Sequence, residues 1–319
     1  MKFGSFWLWA AIIALLGAAL TIFDLVPVNA FIYFAGYVVL QYVVLATAWN
    51  IMGGYMGYVN FGTAGFFAVG AYTSVVLYNL FKAPLLVMIP ISGIVCALLG
   101  LAMGYLTLRL RGVFFAIATL ALAIVLETLV VNWDYVGGAT GAYILRAREI
   151  APFGDYIEFL FFVMLLLAIF AVGTARWIER SKAGRGFAAI RDDEEAAECA
   201  GVPTLKLKLV ATTVSGFLMG VAGAPFVLYV GFVEPSSAFN LVYAVNSIAM
   251  PMIGGATTWL GPLIGALLLG TVQQVATVTI SSELNLLIVG GLLVFFVIAA
   301  PEGIVGLVKK WRRRAGDDG

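Results

Sequence analysis

The 319 residues include no histidine and only two cysteines. Without imidazole the chain lacks the commonest general base at neutral pH and the commonest metal ligand. Cys96 lies in an apolar run and Cys199 in a polar one, so no CxxC or zinc-ligand spacing arises. The phosphate-binding pattern GxxxxGK[ST] is missing, as are GxSxG and HExxH. No nucleophile–base set is visible, so neither catalysis nor a resident metal or cofactor is expected on this chain. If ATP is used, another subunit must bind it. Charge is scarce too: 11% of residues are charged, against about 25% in soluble domains. The net charge of +1 excludes little, and nucleic-acid binding has no support beyond a basic C-terminal tail.

What remains is apolar: 63% of residues are hydrophobic and mean hydropathy is +1.05. Apolar runs of about 20 residues predict an all-α, polytopic membrane protein. A β-barrel would alternate polar and apolar positions, and these runs are apolar all round. About ten transmembrane or re-entrant segments are expected, near 6–23, 31–52, 60–81, 85–108, 113–133, 157–175, 209–230, 241–259, 262–280 and 286–300. The first run also resembles a signal peptide, with Lys2 ahead of it and Gly17-Ala18-Ala19 as a processing site; a retained span is preferred because the rest of the chain is itself membrane-embedded. Ten crossings with both termini cytoplasmic put Lys2, Arg109, Arg111, seven basic residues of the 176–208 stretch and five of the tail on the inner side, fifteen in all. Only Lys82, Arg146 and Arg148 fall outside, as the positive-inside rule requires. The chain thus reads as one permease-like domain over 1–319, with a cytoplasmic loop at 176–208 and a basic cytoplasmic tail at 305–319. The tail, Lys309-Lys310-Trp311-Arg312-Arg313-Arg314, reads as a stop-transfer cluster on anionic lipid, with a partner site as its rival.

Several segments are not ordinary spans. Glycines at 53, 54, 57, 62, 65 and 70 accompany Asn60 and Thr63, and a second cluster holds Asn246, Pro251, Gly254, Gly255, Gly261 and Pro262. Broken helices in two halves are the sequence mark of a mid-membrane transport site. Tight helix packing is the alternative, through Gly100-xxx-Gly104, Gly216-xxx-Gly220 and Gly261-xxx-Gly265. Five segments on either side of about 134–156 predict a 5+5 repeat of inverted topology. The stretch from Asn60 to Phe66 loosely echoes Glu234-Pro235-Ser236-Ser237-Ala238-Phe239. Glu127 is the one acidic residue well inside a span, at an insertion cost of roughly 2–3 kcal/mol if ionised. It reads either as path lining or as an interhelical hydrogen-bonding residue facing Thr or Asn.

The 176–208 loop carries seven of the 18 Lys and Arg residues and six of the 17 Asp and Glu. Within it Asp192 is the expected N-cap of a short helix with Glu195 three residues on, and Gly201 and Pro203 stop that helix after about nine residues. Thr204 is then placed to cap the helix returning to the membrane. Ala196, Ala197 and Ala200 share one face, and Glu194, Glu195 and Glu198 the other. Phe187 and Ile190, at i,i+3, are expected to add an apolar knob. The remaining charge of the loop reads as fixing topology. A solvated helix with nothing bound is the bland alternative.

Glu195-Ala196-Ala197-xxx-Gly201 resembles the motif by which permeases of ATP-binding cassette (ABC) importers dock their ATP-binding subunits. The wider run, Arg180-Ser181-xx-Gly184-Arg185-Gly186-Phe187-xx-Ile190-Arg191-Asp192-Asp193-Glu194-x-Ala196-Ala197, is similar to branched-chain amino acid permeases of the LivM type. Further matches in order are Ala48-Trp49-Asn50, Gly53-Gly54-Tyr55, Phe66-Phe67, Gly70-Ala71-Tyr72 and the stretch from Phe115 to Leu120. Gly231-Phe232-Val233-x-Pro235, Gly254-Gly255, Gly261-Pro262 and Pro301-x-Gly303-xx-Gly306 extend them.

The resemblance implies a bacterial inner-membrane permease paired with a homologous permease, two ATP-binding subunits and an extracytoplasmic solute-binding protein. The expected ATPase-coupling residues are Arg185, Phe187, Ile190, Arg191, Asp192, Glu195, Ala196, Ala197 and Gly201. Asn60, Thr63, Glu127, Asn246 and Pro251 are the expected path residues, and the segments at 230–240 and 137–152 the expected outer docking surface. Where many relatives read Ser-Leu-Gly-His-Ala, this chain has Asn60-Phe61-Gly62-Thr63-Ala64. The solute therefore stays open between branched-chain and other amino acids, urea, amides and aromatic acids. An ion-driven carrier or a facilitative channel for a small solute is the alternative mechanism.

Overall fold

Apolar helices dominate the computed structural model, which describes residues 30–107, 112–144 and 155–279 without a break, together with 6–7, 10–15, 17, 110, 287, 290–291, 294–296, 298, 303–307 and 310. In chain order the helices are α1 (Ala30–Met56), α2 (Thr63–Phe81), α3 (Leu85–Thr107), α4 (Val113–Val131), α5 (Tyr156–Arg180), α6 (Lys182–Asp192), α7 (Glu194–Cys199), α8 (Thr204–Gly223), α9 (Phe226–Val230), α10 (Pro235–Ala238), α11 (Leu241–Gly254) and α12 (Leu260–Thr279). Two-residue strands β1 (Ala142–Tyr143) and β2 (Phe232–Val233) pair antiparallel, Ala142 opposite Val233.

Among the described residues seven helices are long and apolar enough to cross a membrane: α1 to α5, α8 continued through α9, and α12. The chain is a multi-pass, all-α membrane protein. Of the other expected segments, the first and last, 6–23 and 286–300, lie largely outside the described residues, as do most of the tail, the loop beyond Ile144, Arg109, Arg111, Arg146 and Arg148. The segment expected at 241–259, as a full or a re-entrant span, holds α11 of 14 residues, about 21 Å of helix, short of the ~30 Å hydrocarbon layer. Pro251 does not break it. The helix runs on through Pro251, and Gly255 N–H still reaches the Pro251 carbonyl at 2.7 Å. The break falls at Gly255, whose φ of 116° favours glycine.

Small residues bring the long helices together. A Cβ at Gly216 would meet the Cys96 carbonyl oxygen at 2.7 Å, so α3 and α8 touch backbone to backbone. Between α11 and α12, Cβ atoms on Gly254 and Gly265 would overlap the carbonyls of Gly261 and Met250. α1 packs on α8, α11 and α12, and α8 packs on α1, α2 and α3; α2 joins α3, and α11 joins α12. This set of contacts maps onto itself when α1 is exchanged with α8, α2 with α11 and α3 with α12.

The expected echo between Asn60–Phe66 and Glu234–Phe239 does not hold in that register. Residues 57–62 are non-helical and 235–238 form α10. A closer correspondence joins Asn60 and Asn240, each immediately before or near a helix start. Asn60 Oδ1 accepts from Gly62 N–H at 2.7 Å, and Asn240 Oδ1 from Val242 N–H at 2.9 Å.

Candidate functional site

Two short helices fold the polar 176–208 stretch into a compact excursion. Ser181 leaves α5 in extended conformation and its Oγ accepts from Gly184 N–H at 3.2 Å, which starts α6. Asp193 then interrupts the helix with φ −161°, and its carboxylate accepts from the N–H groups of Glu195 and Ala196, both at 3.0 Å. The N-cap of α7 is therefore Asp193, not Asp192. Asp192 still belongs to α6, so its backbone cannot adopt the extended geometry a cap needs. α7 has six residues rather than nine.

Its end follows expectation. Gly201 takes φ 83°, its N–H reaches the Glu198 carbonyl at 2.9 Å, and Val202 N–H reaches Ala197 at 2.9 Å, a Schellman closure. Thr204 is the first residue of α8 rather than its cap, and its hydroxyl donates to Glu198 at 2.6 Å.

The faces of this excursion differ from those expected. Phe187 and Ile190 form no knob: both are buried, turned inward where α6 meets α1, α5 and α8. Of the three alanines only Ala197 is buried; Ala196 and Ala200 are exposed with Arg185, Asp192, Glu195 and Gly201. The acidic face is also split. Glu194 points back toward the membrane helices, where it accepts from the Tyr58 hydroxyl and pairs with Lys208 Nζ. Lys208, expected to be topology-fixing charge, is 2% exposed, and its ammonium lies 4.7 Å from the centre of the Tyr58 ring. An ammonium can be buried this deeply only with such partners. Arg191 lies over Gly57 and points Nη1 at the Gly54 carbonyl at 3.5 Å, while its exposed pair with Asp192 spans 3.2 Å.

These contacts converge on a break in the membrane helices at 57–62, between α1 and α2. Gly53 and Gly54 are still helical, and the chain leaves the helix at Gly57, with φ 80°. On its far side the break is held by Trp49 Nε1, donating to the Asn60 carbonyl at 2.9 Å, and by Phe61 N–H, donating to Thr119 Oγ1 of α4 at 3.0 Å. The Tyr58 ring meets Phe115 of α4 edge-on at 5.2 Å.

A second break, 255–259, lies between α11 and α12. Asn50 Nδ2 donates to the Thr258 carbonyl at 3.4 Å, and Trp259 N–H donates to Glu179 at 2.6 Å. The buried Arg176 guanidinium sits 4.6 Å from the Phe6 ring and 4.8 Å from the Trp259 ring. Ala256 approaches Gly54 so closely that a Cβ there would overlap its carbonyl. Both breaks therefore meet the Met56 end of α1.

The five path candidates are not gathered into one constellation. Among the described residues no hydrogen bond joins any two of them. Asn60 belongs to the first break, and neighbouring Thr63 is fully buried with its hydroxyl unpartnered among the described residues. Asn246 is committed on both amide atoms, to Tyr42 and Gln273, each at 3.0 Å. Pro251 is buried within α11. Glu127 is half-buried on α4 and makes no hydrogen bond or ion pair among the described residues, so of its two readings the interhelical bond is not formed there. Sequence reasoning missed Tyr58 and the pairing of Lys208. The signal for the latter was a lysine five residues into a helix whose neighbours are leucines.

Known proteins place this architecture. The chain is 29% identical over 293 residues to the high-affinity branched-chain amino acid transport system permease protein LivM of Escherichia coli (strain K12), covering 84% of this chain and 68% of that protein. It is 23% identical over 271 residues to a probable branched-chain amino acid transport permease protein LivH of Methanocaldococcus jannaschii, covering 80% and 84%. A 120-residue match at 28% identity reaches the L-arabinose ABC transporter permease protein AraH of Azospirillum brasilense, covering 36% and 35%. No solved structure matches the chain. The family profile described as branched-chain amino acid transport system / permease component matches residues 31–297, and the chain belongs to that family.

Proposed function

We propose that this chain is one membrane subunit of an ABC importer that carries branched-chain amino acids across a bacterial inner membrane. ATP hydrolysis takes place on separate subunits that dock on α7. The observation that carries the reading is the construction of α7: a helix fixed by a cap at each end, exposing Glu195, Ala196 and Ala200 while its inner side is tied to a membrane break. The names of the LivM and LivH relatives support the solute. Similarity to both also supports a homologous permease as the second membrane subunit.

Several finer features follow from the same reading. Self-mapping contacts among α1–α3 and α8–α12 support an inverted repeat, and the imbalance of basic residues supports cytoplasmic termini. β1 and β2 join the two segments expected to receive an extracytoplasmic solute-binding protein. Ala196→Arg places a bulky cation where an ATPase subunit would sit, on an exposed residue whose change leaves the fold intact. Membrane insertion should be normal, whereas co-purification of the ATPase subunits and ATP-driven leucine uptake should be lost. Ordinary uptake by this variant, or leucine flux from the chain alone along an ion gradient, overturns the proposal in favour of a self-sufficient carrier.

A further inference from the structure

Resting on the coupling role proposed for α7, we infer that Tyr58, Glu194 and Lys208 form the latch through which movement of α7 reaches the membrane path. Glu194 is the second-stage link: one carboxylate receives the Tyr58 hydroxyl from the 57–62 break and the Lys208 ammonium from the first turns of α8. The same ammonium lies against the Tyr58 ring, which closes the three groups into a ring of contacts. Side-chain exposures of 3% for Lys208 and 12% for Glu194 mean that water does not compete for these bonds. A charge-assisted contact in such surroundings resists stretching, so the groups move as one.

What the latch grips decides its role. Tyr58 lies in the non-helical stretch, its N–H still held by the Met52 carbonyl of α1 at 3.2 Å, and its ring rests on Phe115 near the head of α4. Two residues on, Asn60 and Phe61 are bonded to α1 and α4. A displacement of α7 is thereby delivered to the non-helical link between α1 and α2 and to α4, the helix that carries Glu127. Arg191 over Gly57 guides the same stretch from α6. Tyr58, Glu194 and Lys208 are positioning residues: none needs to touch solute or nucleotide.

The test uses the full importer in proteoliposomes, with leucine uptake and ATP hydrolysis measured together. Tyr58→Phe keeps the ring against Lys208 and Phe115 and deletes only the hydroxyl. It should assemble and hydrolyse ATP within about twofold of the parent while leucine carried per ATP falls about tenfold, the size expected for losing one charge-assisted bond from the coupled state. Lys208→Arg, which preserves the cation, should restore most of the ratio lost in Lys208→Gln. An unchanged ratio in Tyr58→Phe overturns the latch, as does a fall in hydrolysis and uptake in proportion, which would mean impaired docking. If the parent complex itself shows no ATP-dependent uptake, the coupling reading fails instead.

Discussion

The break at 57–62 and the break at 255–259 both meet the Met56 end of α1, yet they are anchored from different places. The first is gripped by the polar excursion: Arg191 of α6 covers Gly57, and Glu194 of α7 holds Tyr58. The second is gripped by membrane helices: Glu179 and Arg176 of α5, and Asn50 of α1. Their chemistry differs as well. At the first break one carboxylate serves both an ammonium and a phenol, so removing the ammonium takes the paired cation from a carboxylate of low exposure. At the second the arginine lies against two ring faces with the Glu179 carboxylate attracting it, and Glu179 also holds the Trp259 N–H and, at 3.4 Å, the Tyr55 hydroxyl. The first break is thus tied to the polar excursion. The other is part of the scaffold, linked to the first where Ala256 presses on Gly54.

Lys208→Met separates the two regions with the largest expected effect. It strands the Glu194 carboxylate at low exposure, which costs about 3–5 kcal/mol and should show as a lower thermal midpoint in detergent. Arg176→Met is the matching change at the second break. Its loss removes two cation–π contacts of a desolvated guanidinium, about 2 kcal/mol, while Glu179 still accepts from the Trp259 N–H and the Tyr55 hydroxyl. A larger loss of stability from Arg176→Met than from Lys208→Met breaks the comparison.

Legibility in the sequence follows the same divide. Seven spans were visible because a bilayer demands long apolar runs, which composition reports directly. The breaks were visible as glycine clusters but displaced by a few residues, for reasons of packing. Gly53 and Gly54 stay helical because α1 uses them for close approach to Trp49 and Ala256, and Pro251 stays inside α11 because the carbonyl at 251 still finds Gly255 N–H. α7 was legible from its stop, since Gly201 at positive φ is local chemistry, whereas its N-cap was placed one residue early, at Asp192 instead of Asp193. The inward turn of Phe187, Ile190, Glu194 and Lys208 was not, because it depends on which helices stand behind the excursion. Periodicity gives relative faces, not the direction in which a face points.

The smallest effect separates the two adjacent aspartates and sharpens the account of the first break. Asp193 accepts two backbone N–H groups of α7, whereas Asp192 pairs only with Arg191, at side-chain exposures of 72% and 32%. Asp193→Ala should cost about 1 kcal/mol, the usual worth of an N-cap, and Asp192→Ala no more than about 0.5 kcal/mol, as for exposed ion pairs. Hydrogen exchange of the α7 amides is the measurement that resolves so small a difference, because it reads local opening rather than global unfolding. Faster exchange confined to Glu195 and Ala196 in the Asp193 variant locates the cap. Equal acceleration in both variants would mean that α6 and α7 open as one unit and not separately at Asp193.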